Sequence, residues 1–324
     1  MTLLPRARAR SRLEVSLDAR RFVFVTGKGG VGKTTVTAAM AEALAARGKR
    51  VLIAMCGAHE RLSAMLRQPP VGHEIAAVGR GIWATRIDPE LAMEEYGELV
   101  IKVRTLARLV FENRYTQGFF RAAPGLHDWA MLGKAWWHTT EVLDGRPRYD
   151  VVLFDAPATG HGLDMLRVPK VILDVVPPGV LRRDAESAWQ LFHDAERAGV
   201  VLVSLPEDLP VSESIELATA LREELELPLE RVVVNGLLPA LFGADEREAL
   251  TSDGPLFELA RVGKDLDPAE AALAAAVRRA SREQIQARNV ERLRGAIPAP
   301  TTLLPFLLES AGTPEGIREL SRHF

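Results

Sequence analysis

The sequence predicts a doubly wound α/β fold, a mostly parallel sheet flanked by helices, with a helical subregion. Three observations carry this. Apolar, β-prone runs recur along the chain and alternate with helical stretches. Near-continuous Val, Ile and Leu within the runs mark strands buried on both faces, as in a parallel sheet. A glycine-rich segment joins the first run to an alanine-rich stretch in the order strand, loop, helix.

The expected strands are residues 21–26, 51–55, 82–87, 151–155, 200–205, 231–235 and 301–304. Ligands of such a fold sit at the C-terminal strand ends, so the glycine loop and the ends of the 151–155 and 231–235 strands should converge. Two stretches depart from simple alternation. Residues 88–147 read as mostly helical, and 164–198 as a shorter helical segment broken by Pro169, Pro177 and Pro178. The helix before the last strand has a clear start: Asp267 as N-cap, Pro268 in the first turn and Glu270 completing a capping box. Gly295 marks its expected end. Without internal repeats or a low-complexity linker, residues 20–324 read as a single domain behind a basic tail, 1–19.

The chain has 324 residues, 47% of them hydrophobic and 26% charged, which suits a globular protein with a sizeable core. A net charge of −2 gives no large basic surface, so no nucleic-acid partner is expected. The one cysteine, Cys56, excludes an internal disulfide and fits a reducing, cytoplasmic setting. Arg6, Arg8, Arg10 and Arg12 lie in a segment without the apolar stretch of a secretory signal. A disordered basic tail is the simplest reading of it, and a transit peptide or a contact with an acidic partner the alternative.

Chemistry is concentrated at residues 27–35, Gly-Lys-Gly-Gly-Val-Gly-Lys-Thr-Thr, which contain the P-loop pattern G-x-x-x-x-G-K-S/T. Gly27, Gly29, Gly30 and Gly32 let the backbone wrap phosphate oxygens, and the amides through Val31 to Thr35 with the helix N-terminus supply positive partial charge. Lys33 would reach the β- and γ-phosphates of ATP, and the Thr34 hydroxyl would hold Mg²⁺. Lys28 is a second lysine in the loop, beyond what phosphate binding needs. The apolar run 151–154 delivers Asp155 to a strand end, where its carboxylate can hold the water shell of Mg²⁺ opposite Thr34. The glycines and proline of Ala156-Pro157-Ala158-Thr159-Gly160-His161-Gly162 permit a mobile switch loop.

These motifs resemble those of one family. A lysine directly after the first glycine is similar to the deviant Walker A motif, in whose families that lysine crosses a dimer interface to the facing subunit's nucleotide. Residues 155–163 resemble the Asp-Thr-Ala-Pro-Thr-Gly-His-Thr-Leu switch II of the ArsA and guided-entry ATPases, the latter targeting tail-anchored membrane proteins. Pro124-Gly125-Leu126 and Pro169 fit that family too. So does Asn235, whose family counterpart reads the adenine. Leu303-Leu304-Pro305-Phe306 resembles the loop that covers the adenine. The resemblance spans about residues 20–320. It implies an ATP/ADP- and Mg²⁺-binding ATPase, with Lys28, Lys33 and Asp155 as catalytic residues. It also implies a homodimer, or a heterodimer with a paralogous ATPase, and a hydrophobic or membrane-protein client.

Three departures point to a separate, bacterial branch. Hydrolysing members carry Asp-Pro-Ala-His after the second strand, the aspartate positioning the attacking water. Here Cys56-Gly57-Ala58-His59-Glu60 stands there, without an aspartate. His59 or Glu60 could substitute, though a solvated loop residue is the plainer fate of each. Cysteine pairs that hold zinc between subunits are missing, so no zinc is expected; Cys56 reads as a buried strand-end thiol. Only about thirty residues follow Pro169 before the next strand, too few for a long client-binding insertion. Trp129, Leu132 and Trp136 share a helical face, read as core with an apolar ligand surface as the alternative. Ile317, Leu320 and Phe324 likewise read as a helix docked on the fold rather than on a membrane. Two rivals remain at this stage: a hydrolytically weak regulatory subunit, and a positioning ATPase of the MinD or ParA class.

Overall fold

The computed structural model describes residues 17–56, 60–101, 125–157, 162–252, 254, 258 and 266–324. The strands are β1 (Phe22–Thr26), β2 (Val51–Met55), β3 (Ala76–Gly79), β4 (Ile82–Arg86), β5 (Val142–Leu143), β6 (Arg146–Pro147), β7 (Val151–Asp155), β8 (Ala198–Ser204), β9 (Leu229–Leu237) and β10 (Thr301–Pro305). The helices are α1 (Lys33–Ala46), α2 (Leu62–Leu66), α3 (Pro89–Ile101), α4 (Leu126–Trp137) and α5 (Gly162–Val175). They continue with α6 (Val180–His193), α7 (Asp208–Glu223), α8 (Ala244–Thr251), α9 (Pro268–Ala296) and α10 (Pro314–Ser321).

Eight strands form one sheet in the order β10-β9-β8-β1-β7-β2-β4-β3. Every pairing is parallel except that of the edge strand β3 with β4. All seven apolar runs become strands of this sheet. Burial explains why their sequences do not alternate. Phe22, Phe24, Leu52, Val152 and Phe154 face one core, with Trp129, Met165 and Phe192 packed on them. Val23, Val25, Ile53, Leu153 and Val201 face the other, with Val36, Met40 and Leu44 of α1. Thus α1 is buried along most of its length, which its small alanine side chains permit.

Three expectations need correction. Residues 142–147, read as helical, form the β5–β6 hairpin. Asp144 and Gly145 have φ of 52° and 74°, the positive values a two-residue Asp-Gly turn requires. Helix α5 runs through Pro169 rather than breaking there. One missing N–H is tolerated because Met165, Leu166, Val168 and Ile172 hold the helix on the core, and the break comes at Pro177 and Pro178. The edge strand β3 was not anticipated; Ala76-Ala77-Val78-Gly79 is short and carries one branched residue.

Helix α9 starts as expected. The Asp267 carboxylate accepts from the amides of Ala269 and Glu270, and the Glu270 carboxylate accepts from the Asp267 amide. It continues through Gly295 and stops at Ala296, without a left-handed glycine. Trp129 and Leu132 are core residues, Trp136 is partly buried and Trp137 exposed. The C-terminal helix α10 docks on α1: Ile317 and Leu320 are buried and Phe324 packs on the same cluster. Leu17–Ala19, inside the segment read as tail, form a short 3-10 turn that buries Leu17. Residues 1–16 and 102–124, with Pro124, lie outside the described residues.

Candidate nucleotide site at the P-loop

Strand order decides what surrounds the glycine loop. β1 lies between β7 and β8, so the C-terminal ends of both neighbours reach the loop that follows Thr26. At Gly27, with φ 145°, an added Cβ would stand 2.2 Å from the carbonyl oxygen of Val203 on β8. At Gly32, with φ 90°, it would stand 2.3 Å from Nδ2 of Asn235 on β9. The loop is therefore pressed onto two strand ends, and only glycine satisfies both the backbone angle and the clearance there. Asn235 Nδ2 donates to the carbonyl of buried Val31, 2.9 Å away. Helix α1 starts at Lys33 directly after left-handed Gly32, so its unpaired amides open toward the loop.

Lys33 is buried and folds back over the loop. Its Nζ donates to the carbonyls of Gly27 at 3.0 Å and Lys28 at 3.1 Å. Burial lowers its pKa, and the nearby Asp155 partly opposes this. Thr34 Oγ1 donates to Asp155 Oδ2 at 2.6 Å. Asp155 Oδ1 is buried with no hydrogen-bond partner. Burial pushes this carboxyl up to about 6, although Thr34, Lys33 and the nearby Thr37 hydroxyl pull it down; that hydroxyl donates to the Lys33 carbonyl at 2.9 Å rather than to Oδ1. A buried carboxylate with one oxygen unmatched lacks a donor or a cation. Magnesium water would supply that donor, so Thr34 and Asp155 fit the ion. Thr35 points elsewhere, toward Met65 of α2. Cys56 lies buried at the end of β2, its amide donating to the Asp155 carbonyl, and burial raises its thiol pKa well above the ordinary value.

Lys28 stands apart from Lys33. Its side chain is 51% exposed, and its Nζ pairs with Glu213 on α7. The two flank a cleft of about 420 Å³ whose lining includes Thr26, Gly162, Leu163 and Leu217. The sequence reading missed Glu213. Its place follows from β8 lying beside β1, which starts α7 next to the glycine loop.

Pro305 ends β10, and the Phe306 amide donates to the Leu237 carbonyl at 2.7 Å. The half-exposed Phe306 ring lies over Gly236, the residue after Asn235. Glu60 is not a free loop carboxylate. It accepts from the Ser63 amide at 2.7 Å and from the Ser63 hydroxyl, capping α2. His59 with Gly57 and Ala58, and 158–161 of the switch II segment, lie outside the described residues.

The fold and this loop, with its lysine and a Thr–Asp pair at the adjacent strand end, define a P-loop ATPase. Comparison with known proteins gives the family. The family model described as "Anion-transporting ATPase" matches residues 20–177. "ATPase BagA" of Mycobacterium tuberculosis is 34% identical over 231 residues, 69% of this chain and 67% of its own. A "Putative arsenical pump-driving ATPase" of Halobacterium salinarum is 32% identical over 71% of this chain, which spans 37% of that longer protein. "ATPase GET3B" of Arabidopsis thaliana is 26% identical, over 69% of this chain and 66% of its own. The chain belongs to the ArsA/GET3, or guided-entry, family of ATPases. Among the described residues no helix is long and apolar enough to cross a membrane, and no three His, Cys, Asp or Glu side chains group as metal ligands.

Proposed function

We propose that the chain is a dimeric ATPase of the cytoplasm. Mg²⁺-ATP binding and slow hydrolysis would switch the arrangement of two subunits and so the exposure of a surface for a hydrophobic or membrane-protein client. The carrying observation is the different placement of two lysines. Lys33 is buried and already over the loop, whereas Lys28 is half-exposed at its rim. A lysine unnecessary for phosphate binding within one chain is available to the facing one.

In this reading the loop amides from Gly27 to Thr35, Gly29 among them, and the α1 N-terminus hold the phosphates. Lys33 exchanges two carbonyl contacts for the β- and γ-phosphates, a gain because hydrogen bonds to charged acceptors are stronger. Thr34 and Asp155 hold Mg²⁺, the latter through water, and the ion supplies charge neutralisation at the phosphates. Asn235, next to the loop, faces the adenine, with Pro305 and Phe306 on its outer side. Lys28 links the γ-phosphate to dimer closure, giving ATP a higher affinity for the closed pair. No nucleic acid or zinc enters this scheme. Analytical ultracentrifugation with a non-hydrolysable ATP analogue tests it. Lys28→Ala should bind nucleotide as a single chain and lose nucleotide-dependent association, whereas association equal to wild type removes the reading's main support.

A second reading is favoured by one observation. Glu60, the nearest carboxylate to the missing switch I aspartate, is committed to capping α2. A chain without a water-positioning group would be the hydrolytically weak member of a heterodimer with a paralogue. Turnover of the purified chain above about one per second, in the range of ordinary kinases, would contradict this reading.

A further inference from the structure

We propose that Glu213 is a positioning residue that holds Lys28 within its own subunit and must release it before two subunits pair. The inference rests on the reading of Lys28 as the residue that crosses to the facing nucleotide. Lys28 sits in the outer part of the loop, and α7 brings a carboxylate directly against its ammonium. Glu213 Oε1 makes the contact, while Oε2 is buried without a partner. The carboxylate is the less exposed partner, at 28% against 51% for the lysine. The glutamate is thus the less solvated end of the pair and the lysine the end that reaches into solvent. Glu216 and Glu224 line the same cleft, but the ammonium bonds to Glu213 alone among the described residues.

The consequence is thermodynamic. A subunit that pairs exchanges a carboxylate of its own for the phosphates of its neighbour. Only the difference between the two contacts favours the dimer. In a symmetric pair both lysines make this exchange, so the cost enters twice. Exposed pairs of this kind contribute little individually. Two of them correspond to about a two- to thirty-fold change in the association constant. The contact weakens association by the same factor whichever nucleotide is bound. It places the dimerisation threshold out of reach of weak, ADP-like contacts and leaves it open to ATP.

The test is sedimentation of the full chain with a non-hydrolysable ATP analogue, beside ADP titrations of the dilute single chain. Glu213→Gln keeps the side-chain shape and removes the charge. It should tighten association two- to thirty-fold and leave ADP affinity unchanged. Glu216→Gln neutralises a carboxylate of the same cleft and should change neither. Glu213→Gln combined with Lys28→Ala should associate no better than Lys28→Ala. Unchanged association in Glu213→Gln, while Lys28→Ala abolishes it, overturns the inference and leaves the paired-subunit reading standing. Wild-type association in Lys28→Ala overturns that reading first. Equal tightening by Glu216→Gln, or a parallel rise in ADP affinity, overturns the inference in favour of general charge repulsion.

Discussion

Asp155 should destabilise the nucleotide-free chain, and this can be measured. Its carboxyl is raised from 3.8 to about 6, chiefly by burial. The sign follows from proton linkage. Between those two values the folded chain holds a proton that the unfolded chain has lost, so stability falls as pH rises through this window. Above it the penalty is constant, about 3 kcal/mol at ~1.4 kcal/mol per pKa unit. At pH 5 the same relation leaves about half of it. Asp155→Asn keeps an acceptor for Thr34 and removes the charge, and the neutral amide left facing the unmatched Oδ1 position costs the same at every pH. The pH-dependent part is therefore isolated in the difference between variant and wild type. In thermal denaturation without nucleotide or divalent ions, that difference should grow in the variant's favour from pH 5 to pH 8. The growth should be about 1.5 kcal/mol, or roughly 2 °C for a chain of this size. Mg²⁺ with ADP should reverse the order, because a cation shell satisfies the carboxylate and not the amide. A variant advantage that is equal at both pH values, or lower at pH 8, would refute the argument that burial of the Asp155 charge costs stability.

Two further outcomes follow from the loop. Lys33→Ala should weaken nucleotide binding by about ten- to a hundred-fold in calorimetry, the range for a lost hydrogen bond to a charged group, with little effect on folding; unchanged affinity would sink the phosphate assignment. Gly27→Ala combines a φ of 145° with a Cβ only 2.2 Å from the Val203 carbonyl, and that backbone belongs to a fully buried strand. It should cost at least about 2 kcal/mol in chemical denaturation, whereas an alanine variant within about 0.5 kcal/mol of wild type would mean the loop is not pressed against β8.

Much of the sheet was legible because buried parallel strands are written in one-dimensional code. Runs such as Val51–Met55 and Val151–Asp155 have no polar face to confuse the period, and their limits coincide with the observed strands. The capping box at Asp267 was legible for a related reason, since a cap is a contact between residues three apart. What failed was local evidence outweighed by its surroundings. The Asp144-Gly145 turn lies inside a stretch that reads as mostly helical, and its two-residue signal is short beside that context. Pro169 was read as a breaker on propensity, but four buried apolar side chains around it hold α5 together.

The candidate site divides along the same line. Gly27 to Thr35 is contiguous, and Asp155 is announced by the apolar run before it, so both could be found without knowing which strand neighbours which. Glu213 could not. It lies 185 residues from Lys28, in a helix whose sequence, Ser212-Glu213-Ser214, carries no motif. Its meaning comes only from the β8–β1–β7 order, which puts the start of α7 beside the loop as it puts Asp155 on the other side. The two acids differ in burial, which is why different roles are proposed for them. Asp155, stranded at a buried strand end, is suited to a metal-bound water. Glu213, lining a cleft at the loop, meets a half-exposed ammonium. A comparison of Glu213→Gln with Asp155→Asn should therefore separate two functions of one loop: the first variant changes how readily subunits associate, the second how the single chain binds Mg²⁺ with nucleotide. If both variants changed the same property, the division of the loop into an inner phosphate site and an outer subunit contact would be wrong.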